Sequence, residues 1–219
     1  MGDLQNLKKL FKGKNILVFD LETTGFSTEK ELFGEYRYKC YKDDKNYKNA
    51  RIIQVGWKFA ENWSGSFETD DVLACYRKSP DIKRISNSEF HGITLNCVNK
   101  KGKSFKNILD KCGFGHAIEN ADYIIAHNSK FDIPILLNEL HRIKYKRKED
   151  KILNLLDTGG IICTLKYGKA ICDGSYKLSS FYQHYYHCEP ENTHKADGDV
   201  KILLEILNKV VKDPICTKI

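Results

Sequence analysis

Proline is scarce in this chain, with four residues in 219, and there is one methionine and two tryptophans. So little proline leaves no room for a proline-rich linker, and no low-complexity segment or internal repeat occurs. No run of about 18 apolar residues is present, so no membrane-spanning helix is expected. The opening MGDLQNLKKLFKGKN has no apolar centre, so no secretory leader is expected either. Cysteine is not scarce, but its spacing excludes a common use. Cys40, Cys75, Cys97, Cys112, Cys163, Cys172, Cys188 and Cys216 form no C-x-x-C pair. None stands at zinc-ligand spacing with a histidine. Reduced thiols in a cytoplasmic or nuclear compartment are the expectation.

What remains is an ordinary soluble composition, 41% hydrophobic and 30% charged, with a formal charge of +7 and a pI near 8.8. That length and composition fit one α/β domain, and the basic excess points toward polyanionic partners such as nucleic acid.

Periodicity predicts strands over NILVFDLET, RIIQVGWKFA and DVLACYRK (71–78), in sequence and therefore as an antiparallel meander. Ser86 and Glu89 have capping-box spacing before a short helix. Residues 104–121 read as one helix, weakened by Gly113 and Gly115. ADYIIAHN reads as a buried strand, followed by a helix from about Asp132 with Pro134 in its first turn. KYKRKEDK (144–151) reads as a solvated loop, ILNLLD (152–157) as a strand and TGGIICTLKYG (158–168) as a helix. Helices over 177–187 and from about Ala196 to Lys212 complete the pattern. The expected fold is a central mixed five-stranded sheet flanked by helices. The expected divisions are a basic N-terminal arm or short helix (1–14), one domain (15–212) with an insertion at 27–49, and a tail (213–219).

Three separated segments carry chemistry. Asp20 and Glu22 end the first strand, two residues apart and therefore on one face. Asp132 follows HNSKF at a strand-to-helix junction, where it is either a ligand or an N-cap. Asp199 falls in the first turn of the last helix, with His194 in the loop before it. Asp197 reads as a cap or a solvent-facing acid. Four acids converging on one point cannot all ionise without cations, and divalent metals beside a histidine base suit phosphodiester hydrolysis.

D-x-E, then H-N-x-x-F-D, then H-x-A-x-x-D resembles, in this order, the DEDDh exonuclease family, whose DnaQ-like fold is related to that of ribonuclease H. The run His194, Ala196, Gly198, Asp199, Val200, with SYKLSSFY and FDIPILLNEL, is similar to the TREX-type three-prime repair branch. The resemblance covers about residues 15–211. It implies a 3′–5′ exonuclease that releases nucleoside 5′-monophosphates, with His194 as general base. It also implies metal binding by Asp20, Glu22, Asp132 and Asp199, with two Mg²⁺ or Mn²⁺ ions. Leu21, Thr23, Thr24, His91, Ile93, Asn128, Lys130 and Phe131 fall at positions that contact the terminal nucleotide. Single-stranded DNA or DNA 3′ ends are the implied partners, with RNA as an alternative, no membrane, and a possible homodimer through the edge of the third strand. A polymerase proofreading subunit and an inactive binding module are the remaining alternatives. Lys130 and Phe131 depart from that branch, which has R-Y there, and neither its proline-rich loop nor its hydrophobic C-terminal anchor occurs in this sequence. The 27–49 insertion is a further departure. Its interleaved Tyr36, Arg37, Tyr38, Lys39, Tyr41 and Lys42 read either as a base-stacking track or as a solvated hairpin.

Overall fold

The apolar run that opens strand β1 (Ile16–Thr23) is buried on both faces, and its alternation decides where everything else packs. Leu17, Phe19 and Leu21 point into one core; Ile16 and Val18 point into a second core on the opposite face. Asp20 and Glu22 continue the Ile16–Val18 side. The computed structural model describes residues 7–26, 41–172, 174–175, 177–191 and 193–212.

β1 pairs antiparallel with β2 (Ile52–Ala60) and parallel with β4 (Tyr123–Ala126). β2 pairs antiparallel with β3 (Leu73–Tyr76), and β4 pairs parallel with β5 (Ile161–Cys163). The result is one mixed five-stranded sheet in the order β3-β2-β1-β4-β5. Helices Phe105–Lys111, Phe114–Asn120, Ser129–Arg142 and Lys146–Asp157 cover one face, around Trp57, Phe114 and Leu136. Helices Leu178–Tyr186 and Ala196–Lys212 cover the other, around Val18, Phe181 and Leu203. The mixed sheet with helices on both faces is the expected architecture.

Several local expectations are corrected. Residues 152–157 are not a strand but the second half of the Lys146–Asp157 helix, whose Ile152 and Leu155 face the core at helical spacing. That helix absorbs most of the basic run expected as a loop. It closes at Gly159, which adopts φ +77°, while the Gly160 N–H donates to Leu155 O at 2.7 Å. The chain reverses there, so the expected helix over 158–168 instead begins as β5, and helix Leu165–Ile171 follows. Residues 104–121 form two helices, broken at Gly113 with φ +92°. Helix Ser88–His91 starts from Asn87 with no side-chain cap, so the Ser86–Glu89 capping box does not form. Helix Ser129–Arg142 starts a turn earlier than expected and carries Pro134 inside it. β3 is shorter than the expected 71–78, and it is the sheet edge.

The N-terminal segment is a short helix, Leu7–Phe11, but a docked one. Phe11 is fully buried against the rings of Trp63, Phe67 and Tyr123. Most of the 27–49 insertion lies outside the described residues, Tyr36 to Lys39 included. Its end lies within them and corrects one expectation. Tyr41 is buried and its hydroxyl meets Glu149 at 2.5 Å, so it braces the helices and is not open to a base.

Candidate active site

The register of β1 on β2 builds the site. Asp20 lies opposite Gly56, and Glu22 opposite Gln54. Both positions receive the start of the last helix. A side chain at Gly56 would place its Cβ 2.3 Å from the Ala196 carbonyl carbon, so only glycine lets that helix approach the sheet so closely. Gln54, 2% exposed, then grips it: the Ala196 N–H donates to Gln54 Oε1 at 3.2 Å, and Gln54 Nε2 donates to Asp197 Oδ1 at 3.3 Å. Asp197 is therefore a docking contact, not a solvent-facing acid. Glycine in a strand flags close approach, which is the sequence signal for Gly56; nothing in the sequence marked Gln54.

The docked helix presents Asp199 to the acid-bearing face of β1. Carboxylate oxygens of Asp20, Glu22 and Asp199 lie within 4.8 Å of one another. Asp132, 2% exposed, comes from the first turn of helix Ser129–Arg142. The Leu21 N–H faces both the Asp20 and the Asp132 carboxylates. Asp132 is thus no N-cap; Asn128 holds that position, with φ 70°.

Desolvation raises all four carboxyls. For Asp20 burial is the largest cause, followed by the charges of Asp132, Asp199 and Glu22, and the group stands well above its ordinary value. Burial, then Asp199, pushes Glu22 to about 8. Burial raises Asp132, with Glu22 adding to it, and lifts Asp199 to about 6. Among the described residues, no arginine or lysine forms an ion pair with any of the four. An all-oxygen, acidic donor set of this kind fits hard divalent cations. His194 is exposed on the preceding loop with φ 63°, and its N–H donates to Asp199 Oδ1 at 3.4 Å.

The positions expected to meet a nucleotide surround this cluster, with different roles. Thr23 and Thr24 are buried, and their hydroxyls donate to Gly25 O and Asn49 O at 2.7 and 2.8 Å. They build the turn after Glu22. His91 is buried; its Nδ1 accepts the Ile93 N–H at 3.0 Å, and its ring also bonds the Thr23 backbone. Burial lowers its pKa, and the nearby His194 lowers it further. Leu21 and Ile93 are buried, Asn128 and Phe131 half-buried, and Lys130 exposed. Sequence reasoning missed Phe26, which is 74% exposed and lies edge-on to Phe131 at 5.8 Å.

Residues 17–207 match the family model described as "Exonuclease". The chain belongs to the exonuclease family. Its relatives and fold make it a DnaQ-like 3′–5′ exonuclease with an acidic site of the divalent-metal type. This exonuclease is 30% identical over 196 residues to DNA polymerase III subunit epsilon of Buchnera aphidicola subsp. Baizongia pistaciae, spanning 87% of this chain and 68% of that protein. It is 31% identical over 128 residues to three prime repair exonuclease 2 of Mus musculus, 54% of this chain and 53% of that one. Among solved structures, E. coli exonuclease I in complex with a dT13 oligonucleotide aligns with TM-score 0.58 and 15% identity, over 90% of this chain and 41% of that one. A 3′-exonuclease recognising a histone mRNA stem-loop aligns with TM-score 0.59 and 12% identity, over 97% of this chain and 67% of that one. The exonuclease therefore spans about half to two thirds of the two sequence relatives and less than half of exonuclease I. Both structural likenesses speak to the ribonuclease H-like fold. Among the described residues, no helix is long and apolar enough to cross a membrane.

Proposed function

We propose that this protein shortens DNA from its 3′ ends, releasing nucleoside 5′-monophosphates with the help of two divalent cations, Mg²⁺ or Mn²⁺. One observation carries this reading: three carboxylates far apart in sequence meet within 4.8 Å of one another, and burial raises each of them. Asp20, Glu22 and Asp199 would hold the ions, with Asp132 completing the set. When bound, such ions acidify the attacking water and stabilise charge on the leaving 3′ oxygen. The protein's own residues do the rest. His194, on an exposed loop tied to Asp199, takes the proton from the attacking water at its ring. Phe131 and Lys130 flank the acids, offering a face for the terminal base and a charge for a phosphate. Leu21, Thr23, Thr24, His91, Ile93 and Asn128 would complete the contacts to the terminal nucleotide. The likeness to a DNA polymerase subunit supports DNA over RNA. A homodimer through the β3 edge, where Leu73 is exposed, belongs to the same proposal and is tested by sedimentation.

Two 5′-labelled oligonucleotides of one sequence, DNA and RNA, test the assignment with Mg²⁺, with EDTA and with Asp199→Ala. The expected result is a ladder shrinking from the DNA 3′ end, absent with EDTA and in the variant. A ladder mainly on RNA moves the substrate to RNA. No ladder on either overturns the reading. His194→Ala should slow turnover by about 10²–10⁴ while metal affinity stays unchanged, which separates a base from a ligand.

A further inference from the structure

Beyond the acids, one segment of the chain is strongly and unevenly charged. Residues 78–103 carry six cations (Lys78, Lys83, Arg84, Lys100, Lys101, Lys103) against two acids (Asp81, Glu89). That excess of four is more than half of the chain's formal +7. All six cations are exposed. Asp81 is engaged by Arg51 and Ser79, which leaves little negative charge to offset them.

The segment is a built layer, not a loose loop. Its apolar side, Ile82, Ile93 and Val98 with Ile85 and Leu95 packed around them, closes over Ile53 of β2. Its two ends are stitched together: the Lys78 N–H donates to Lys103 O at 2.9 Å, and the Lys103 N–H to Tyr76 O at 2.9 Å. Gly102 lies so close to the Lys78 backbone that a Cβ would stand 2.9 Å from its nitrogen. The layer is also pinned to the active-site strand. The Ser86 N–H donates to Thr24 O at 3.2 Å, and the Asn87 amide, oriented as a donor, reaches Thr23 O and Thr24 O at 3.1 and 3.0 Å. Those carbonyls follow Glu22 directly.

A second basic stretch gives the contrast. On helix Lys146–Asp157, Lys146 pairs with Glu149 and Asp150, and Arg147 and Lys148 pair with Glu119. Among the described residues, Lys78, Lys83, Arg84, Lys100 and Lys101 form no ion pair. Cations without protein anions, held beside a site that cuts phosphodiesters, suit a strand of phosphates.

We infer that the 78–103 layer binds the phosphodiester backbone of the single strand upstream of the 3′ end held at the acids. The inference rests on the exonuclease reading given above and adds the path by which the strand leaves the site. It predicts that a long substrate is held by this surface and a dinucleotide is not.

Matched charge reversals in the full chain test it: Lys83→Glu/Arg84→Glu on the layer, and Lys146→Glu/Arg147→Glu on the helix. Affinity for a labelled single-stranded DNA of about 20 nucleotides is read by anisotropy in EDTA, where turnover is off, across a salt series. The layer pair should weaken binding about 10-fold or more and flatten the salt slope by about 1.4, since each of the two lost phosphate contacts on a single strand contributes about 0.7. The helix pair should leave affinity unchanged. Equal losses in both pairs would mean that only bulk charge matters, and the inference falls; no loss in the layer pair overturns it as well. Dinucleotide hydrolysis with metal separates the two readings. If wild type cuts neither the dinucleotide nor the long strand, the exonuclease assignment fails while the binding arms still decide the surface. If the layer pair melts as wild type yet loses dinucleotide hydrolysis, the surface belongs to the cleavage pocket and the upstream path is wrong.

Discussion

Glu139 and Asp20 are both carboxylates taken out of water, but their neighbours differ in kind. Glu139 is fully buried, and Arg51 meets both of its oxygens, at 2.7 and 3.2 Å, while Arg77 adds a bond at 2.8 Å. Asp20 has Glu22, Asp132 and Asp199 instead, all of its own sign. The two groups are neighbours in the chain as well as in space: Arg51 immediately precedes the strand that carries Gln54 and Gly56. Among the described residues, two arginines pair with one acid and none with four others a strand away. Buried charge elsewhere in this molecule is compensated, as at Glu139. The uncompensated set marks where something from outside completes the balance.

The largest expected break of this contrast is Asp199→Ala. It should remove turnover to background while leaving the metal-free protein folded and no less stable, because one repelling charge is gone. Activity assay and thermal melting, run side by side, check it; a variant that unfolds would place Asp199 among the structural acids.

Glu139→Ala should do the reverse. Leaving Arg51 and Arg77 buried without their carboxylate should cost about 3–5 kcal/mol of stability. Denaturant unfolding measures this, and a loss well under 1 kcal/mol would erase the distinction between the two groups.

The third expectation concerns pH. Carboxyls whose folded values are raised bind protons more tightly folded than unfolded, so they favour folding most below the ordinary carboxylate range near 4. That advantage is lost as pH climbs through the folded values, about 6 for Asp199 and about 8 for Glu22. The metal-free protein should therefore melt at progressively lower temperature from pH 5 to about 8, and Mg²⁺ or Mn²⁺ should remove most of that slope. Equal melting temperatures across the range would show that the acids do not repel one another.

The smallest effect is expected inside the compensated group. Asp81 pairs with Arg51 from an exposed position, its side chain 52% accessible, so Asp81→Asn should cost about 0–1 kcal/mol. A loss matching that of Glu139→Ala would show that exposure does not set the value of a charge pair here.

The meeting of Asp20, Glu22 and Asp199 was legible in the sequence because motif order survives folding and because alternation along β1 fixes which face Asp20 and Glu22 share. The sheet was legible for the same reason. The stretch 152–161 was not, because a short apolar run reads equally as strand or buried helix, and only Gly159–Gly160 showed where the helix stopped. Gln54 escaped notice since a glutamine within a strand gains its meaning only from the helix that arrives opposite it, more than a hundred residues later. Tyr41 misled for a related reason. Interleaving with lysines made it look like a surface residue, while its hydroxyl had a buried acid waiting in a distant helix.

The contact between Gly56 and Ala196 has a consequence for the life of the chain before it is complete. Asp20, Glu22 and Asp132 leave the ribosome first, and Asp199 follows after an interval on the order of seconds at ordinary synthesis rates. Until the last helix slots over the glycine, three of the acids exist and the fourth does not. The growing chain therefore holds three of the acids without the fourth, and the cluster closes only when the helix that carries Asp199 docks over Gly56.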